Sequence, residues 1–220
     1  MIREKLIGYL KGKCSTLLGV GPMSLNCVDA VIEISNNEKI PIMLIASRRQ
    51  IDSEYFGGGY VNNWTTEEFS KYVFNKDKLG HILLARDHGG PWQNDIEREK
   101  NLDLRDAMES AKKSYQTDID AGFQILHLDP SIDIHGKPSI DESLERLFEL
   151  YDFCCNYAQK KGKEIIYEIG TEEQSGSTNS QEELIFTLTK MYEFCENNGY
   201  PKPTFVVIQT GTRVKELRNI

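Results

Sequence analysis

Five short apolar runs recur along this chain at a nearly fixed interval: PIMLIA from Pro41, HILLA from His81, QILHL from Gln124, EIIYEI from Glu164 and TFVVI from Thr204, with starts 40 to 43 residues apart. Runs this short and continuous are not helices; they read as strands covered on both faces, which is how a parallel sheet looks in sequence. STLLGV, from Ser15, fits as an earlier strand interrupted by Gly19. Between the runs, helices are announced by capping boxes, in which a Ser or Thr closes the first turn and a Glu three residues on reaches back. Thr65 with Glu68, Ser139 with Glu142 and Ser180 with Glu183 are such pairs. The last two open segments whose apolar residues, Leu144, Leu147, Phe148 and Tyr151, then Leu184, Leu188, Met191 and Cys195, share one helical face. Gly162 and Gly199 stand where a C-terminal glycine stops a helix. The repeating unit is β/α, and a string of such units makes a parallel sheet with right-handed crossovers.

Two α/β architectures satisfy that pattern. An open doubly wound sheet carries a glycine-rich phosphate loop after its first strand, and GVGPMS from Gly19 does not match one. A barrel places functional residues at the carboxyl ends of many strands. The runs here end in SRRQ, RDHGG, DPSID, EIGTEE and QTGTR, polar at every one. The expected fold is therefore a (β/α)8 TIM-type barrel. Six runs fall short of the roughly eight strands that close one, so residues 1–220 are expected to form a single barrel domain lacking its last one or two β/α units. An unclosed barrel exposes sheet edges that proteins normally cover, and an oligomer is the corresponding expectation.

The formal net charge of -8 argues against a nucleic-acid partner. No apolar stretch approaches the roughly 20 residues that span a bilayer. The first residues, MIREKLIGYLKGKC, lack the apolar core of a secretory signal, so a cytoplasmic address is expected. Cys14, Cys27, Cys154, Cys155 and Cys195 form an odd set without CxxC spacing, which predicts reduced thiols. A small acidic substrate would need local positive charge, and Arg48 with Arg49 is the evident source.

The strongest local signal is Arg86, Asp87, His88, Gly89 and Gly90, directly after a buried strand. A carboxylate beside an imidazole suits a metal ligand with an adjacent acid/base, or a general base with its orienting partner. The alternative is a turn in which Asp87 caps a helix and His88 packs on Trp92. Glu168 interrupts an apolar strand, where a buried charge is costly unless paired or metal-bound; Asp129 ends ILHLD in the same way. His127 shares the strand face of Asp129 and reads as a satisfied core histidine. Glu172 and Glu173 read as solvated surface, and His135, in HGKP, as exposed.

Several of these segments, taken in order, resemble the class II, metal-dependent ketose-bisphosphate aldolases, and most closely the companion-subunit branch of tagatose-1,6-bisphosphate aldolase. PMSLNCVDAVIEISNNEKIPIMLIAS is similar to the first unit of that family, IASRRQID followed by GGGY to its next strand end, and RDHGGPWQN, AGFQILHLDPS and YEIGTEE to the three after it. The resemblance implies Asp87 as catalytic acid/base, with His88, Glu168 and Asp129 around a divalent metal, zinc in the active enzymes. It implies substrate contacts from Asn26, Ser47, Arg48, Gly170 and Thr171, with a sugar phosphate as ligand. In the active enzymes a G-T-S-H-G motif supplies the second zinc histidine; here Arg213 stands roughly in its place, and the third would lie beyond Ile220. The implied function is a companion subunit that supports a catalytic class II aldolase. The alternatives are a metal-dependent aldolase using Asp87 and His88 itself, and a barrel without ligand.

Overall fold

The computed structural model describes residues 2–13, 16–170, 180–208, 214–215 and 218–219. Strands form where the apolar runs lie: β1 (Leu18–Val20), β2 (Ile42–Ser47), β3 (Ile82–Gly89), β4 (Ile125–Leu128), β5 (Ile166–Ile169) and β6 (Phe205–Val206). They pair in parallel in the order β1-β2-β3-β4-β5-β6, the order of the chain. A doubly wound sheet breaks that order at its switch point, whereas a barrel keeps it. The sheet curls into a half-barrel. Helix α1 (Ile2–Lys13) precedes it, and α2 (Leu25–Glu38), α3 (Thr66–Lys76), α4 (Asp95–Glu99), α5 (Leu104–Ala121), α6 (Ile140–Lys161) and α7 (Gln181–Asn198) fill the crossovers. A short antiparallel pair, β7 (Val214–Lys215) with β8 (Arg218–Asn219), was not anticipated from the sequence.

The two faces of the sheet are covered differently. On the outer face Ile42, Leu44, Leu84, Leu126, Leu128 and Tyr167 pack with Val28, Phe69, Met108, Leu147 and Met191 of the helices in one continuous core. Full burial of side chains this size contributes roughly 1.5–3 kcal/mol each. On the inner face Ala85, Ile125 and Ile166 meet Leu6 of α1 in a second, smaller cluster, with Met43, Ile45 and Leu83 only partly buried. Strand β2 accordingly alternates buried and half-buried positions, which corrects the expectation of equal cover on both faces.

All three capping boxes are formed, and Gly162 and Gly199 end α6 and α7 with φ of 63° and 68°. In α3, Thr65 Oγ1 accepts from Glu68 N at 3.2 Å and Glu68 Oε2 accepts from Thr65 N at 3.1 Å. Thr65→Ala removes that first-turn bond and is expected to cost about 1 kcal/mol of unfolding free energy; urea denaturation followed by circular dichroism measures it, and no loss would show that the cap is idle. Helices α2 and α5 begin instead at Ser24 and Asp103, each accepting from the N–H three residues on, without the reciprocal Glu that marks a box in sequence.

Candidate metal centre at the strand ends

The parallel register lines up one polar layer across the carboxyl ends of four strands. Ser47 of β2 is registered with Asp87 of β3, and His127 of β4 with Glu168 of β5. Asp87 Oδ1 lies 3.8 Å from His127 Nδ1, which joins the two pairs into a row. One layer deeper, Ile45, Ala85, Ile125 and Ile166 are registered in the same way. Polar side chains thus sit on an apolar floor, which lowers the local dielectric and strengthens every charge interaction above it.

His88 joins this layer through an irregularity. Successive residues of a regular strand point to opposite faces, so Asp87 and His88 would be separated. The β3–β4 register slips between Arg86 and Gly89, and His88 takes a φ of 42°, unusual for a residue with a side chain. Its ring then lies 5.3 Å from that of His127, and its Nε2 is 3.8 Å from Asp87 Oδ1. The following glycines allow the turn to close. A Cβ at Gly89 would stand 2.5 Å from the Tyr115 ring, and one at Gly90 would stand 2.0 Å from the Asp129 carbonyl oxygen.

Asp129 fixes the histidine. Its Oδ2 accepts from His88 Nδ1 at 2.7 Å and from Gln93 Nε2 at 2.8 Å, while Oδ1 accepts from Ser131 N at 3.0 Å and from the Ser131 hydroxyl. Burial by itself would raise this carboxyl; the His88 hydrogen bond and the His127 and His88 charges overcome it and hold Asp129 below the ordinary carboxylate range. Asp87 behaves likewise: burial raises it, but the neighbouring His127 and His88 imidazoles leave it lowered. Glu168 goes the other way, pushed up by burial and by the Asp87 charge against the pull of His127 and His88. The layer therefore separates carboxylates held ionised from one inclined to keep a proton.

Asp87, His88 and His127 each bring one donor atom into a group whose members lie within 4.8 Å of one another. Two imidazoles and a carboxylate are the donor chemistry of a divalent transition metal, and Asp129 supplies the outer hydrogen bond that such a histidine needs. Of the two roles the resemblance implies for Asp129, holding a cation or orienting the site, its surroundings are those of an orienting group: it is fully buried and its oxygens are engaged by His88, Gln93 and Ser131. Glu168 lies in the same row, one strand beyond His127, outside the group of three.

The other expected residues are scattered. Arg48 is fully buried, with Nε 3.0 Å from Asp52 and Nη1 2.7 Å from Glu97 and 2.9 Å from the Gly90 carbonyl, so its charge is paired inside the protein and braces the glycine turn instead of facing a substrate. Arg49 is exposed beside Asp95. Asn26 is exposed on the first turn of α2, and Gly170 is buried at the end of β5 with its N–H on the Leu128 carbonyl. Thr171, Glu172, Glu173, Arg213 and Cys14 lie outside the described residues. His135, exposed as expected, packs edge-on against Trp92. His127, expected to be a satisfied core histidine, is buried on the inner face at the strand end, two residues past the inward-facing Ile125, and its Nδ1 accepts from His88 N at 3.2 Å.

A family model described as D-tagatose-1,6-bisphosphate aldolase subunit GatZ/KbaZ-like matches residues 11–197. The D-tagatose-1,6-bisphosphate aldolase subunit GatZ of Shigella boydii and that of Escherichia coli O157:H7 are each 29% identical to the chain over 157 residues, 66% of this chain and 34% of theirs. The chain thus spans about a third of the length of the curated relatives it matches. Among solved structures, a probable tagatose 6-phosphate kinase from Sinorhizobium meliloti superposes with a TM-score of 0.73 at 23% identity, covering 94% of this chain and 52% of that one. A fructose-bisphosphate aldolase from Campylobacter jejuni gives 0.57 at 16% identity, covering 96% and 57%. At these identities the likeness is one of fold, in agreement with the half-barrel.

Proposed function

The chain belongs to the D-tagatose-1,6-bisphosphate aldolase subunit GatZ/KbaZ-like family, and from that premise we propose that it acts as a companion subunit supporting a catalytic class II aldolase in sugar-phosphate metabolism. The observation that carries this reading is the family match over residues 11–197, most of the chain. We place its work in the cytoplasm, assembled with the aldolase it supports. The four described cysteines are free, in keeping with a reducing compartment, and no helix among the described residues is long and apolar enough to cross a membrane.

The ligand of the inner layer is a sugar phosphate. Ser47, next to Asp87 in the register, Gly170, at the end of β5, and Asn26, exposed on the first turn of α2, are its expected contacts. Asp87, held ionised, accepts a proton or a hydroxyl hydrogen bond from a polyol. A divalent cation, zinc on so nitrogen-rich a donor set, supplies Lewis-acid polarisation of a carbonyl or hydroxyl oxygen when bound. His88 is oriented toward it by Asp129, and the apolar floor of Ile45, Ala85 and Ile125 limits water from below.

The test is an aldolase assay on tagatose 1,6-bisphosphate with the chain alone, a class II catalytic subunit alone, and the two mixed. The expected result is no turnover by the chain and a several-fold gain in rate or thermal half-life of the partner on mixing. Absence of any effect on the partner would refute the companion role. A second reading, an aldolase in its own right, has in its favour the ionised Asp87 beside two imidazoles; it requires partner-free cleavage that Asp87→Asn abolishes.

A further inference from the structure

We propose that the half-barrel carries a second ligand site at the amino-terminal end of its strands, built for a small apolar carboxylate. A cavity of about 470 Å3 lies there, between α1 and the starts of β2 and β3. The polar layer of Asp87 and His127 occupies the opposite end. Leu83, Ala85 and Asp87 alternate along the inner face of β3, and Leu83 lines the cavity, so the two sites share a strand and are separated by the apolar floor.

The walls are apolar: Leu6 and Tyr9 of α1 on one side, Leu79 and Leu83 on the other. Leu6 is itself buried against Ala85, Ile125 and Ile166, which seats α1 on the sheet. The polar groups are of one kind. Lys39 brings an ammonium, His81 an imidazole, and Gln124 an amide whose Oε1 is already taken by the Leu84 N–H at 2.7 Å, leaving its Nε2 to donate. Among the described lining residues none is acidic, in a chain whose net charge is -8. Asp77, the carboxylate of the preceding turn, lies outside the lining and accepts from the Gly80 and Ile82 N–H groups at 3.1 and 2.7 Å.

His81 points to the ligand. Its Nδ1 is shut off from solvent and has no hydrogen-bond partner among the described residues, a costly state for a buried polar atom. With the proton on Nδ1 this atom is a donor, and a carboxylate oxygen in the cavity satisfies it while the Lys39 ammonium balances the charge. Hydrogen bonds to an ionised group are the strong ones. A bare inorganic anion would leave the leucines uncovered, and an amine would meet Lys39. An acid with a short hydrocarbon tail uses both halves of the lining. Filling the gap between α1 and the sheet also fastens α1, so occupancy is felt on the inner face below the polar layer. The site is independent of that layer and of any aldolase partner.

The experiment is a calorimetric titration of the full chain with hexanoate at neutral pH, for which a Kd of about 1 mM is expected from so few heavy atoms. Butanoate, with a shorter tail, is expected to bind about 10-fold more weakly. Hexylamine and inorganic phosphate are each expected to bind at least about 10-fold more weakly, the one for its charge and the other for want of a tail. Lys39→Met and His81→Phe are each expected to weaken hexanoate by about 10-fold or more, the usual effect of losing a hydrogen bond to a charged group. Lys71→Met, an exposed lysine of α3 outside the lining, is expected to bind as wild type. Amide hydrogen exchange in α1 is expected to slow several-fold with hexanoate bound, which locates the ligand. Lys39 is exposed, so its variant keeps the test decisive even where His81→Phe disturbs the fold. No binding of hexanoate, equal binding of hexylamine, or wild-type affinity in Lys39→Met with unchanged α1 exchange would overturn the site.

Discussion

Asp118→Ala is expected to lower the unfolding free energy by about 3–5 kcal/mol, the usual effect of stranding one member of a buried ion pair. Arg86 rises from the middle of β3 into the core with no exposed surface on its side chain. Its Nε and Nη2 bond both oxygens of Asp118 at 2.8 and 2.6 Å, and Nη1 donates to the Ala46 and Ile51 carbonyls at 2.8 and 2.7 Å. Burial would favour losing the guanidinium proton; the Asp118 charge more than compensates, so Arg86 stays charged. Without Asp118 that charge keeps two carbonyls, the Thr66 hydroxyl and the more distant Asp52 charge, and no directly bonded carboxylate among the described contacts. Urea denaturation at neutral pH measures the loss, and a change below about 1 kcal/mol would mean that water or a neighbouring carboxylate replaces the partner. Arg86→Met combined with Asp118→Leu is expected to recover part of the stability, because an apolar pair of similar volume strands no charge.

Gly90→Ala is the second large effect, about 3 kcal/mol of stability or more, at the upper end for added volume in a packed site. The new methyl would collide with a backbone atom, the Asp129 carbonyl oxygen, which cannot swing aside as a side-chain tip can. The Gly90 carbonyl is itself tied to Arg48 Nη1 at 2.9 Å, so the turn has little freedom to withdraw. Any shift of Asp129 also loosens His88, whose Nδ1 it holds at 2.7 Å. Gly136→Ala, where an added Cβ meets nothing within 4 Å, is the control, expected within about 0.5 kcal/mol of wild type. Equal behaviour of the two variants in denaturation would show that the β3–β4 turn is more plastic than its contacts suggest.

The sequence announced what is local and stayed silent on what is remote. PIMLIA and HILLA became β2 and β3 because continuous apolar runs have one way to be buried, and Thr65, Ser139 and Ser180 cap helices through residues only three positions away. Asp87 and His88 stood out because they follow such a run. Their geometry could not be read there: the φ of His88 depends on Gly90 fitting against Asp129, 39 residues on, and on Tyr115 lying over Gly89. Arg48 read as a substrate contact since a charged residue at a strand end is ordinarily exposed; the partners that bury it, Glu97 and the Gly90 carbonyl, lie far along the chain. His127 reads as core from its strand, and so it is; that it comes to lie 3.8 Å from Asp87 follows from the packing of β4 beside β3, which no single sequence states.

The grouping of the centre on β3 and β4 also fixes an order of events. Asp87, His88, Gln93, His127, Asp129 and Ser131 are all in hand once the chain has been synthesised to Ser131, before α6, β5 or α7 exists. Chains fold unit by unit as their residues emerge. On the ribosome, then, the Asp129 carboxylate, tied to His88, Gln93 and Ser131, would act as a clasp, setting the slipped register of these strands while the rest of the half-barrel is still to be made.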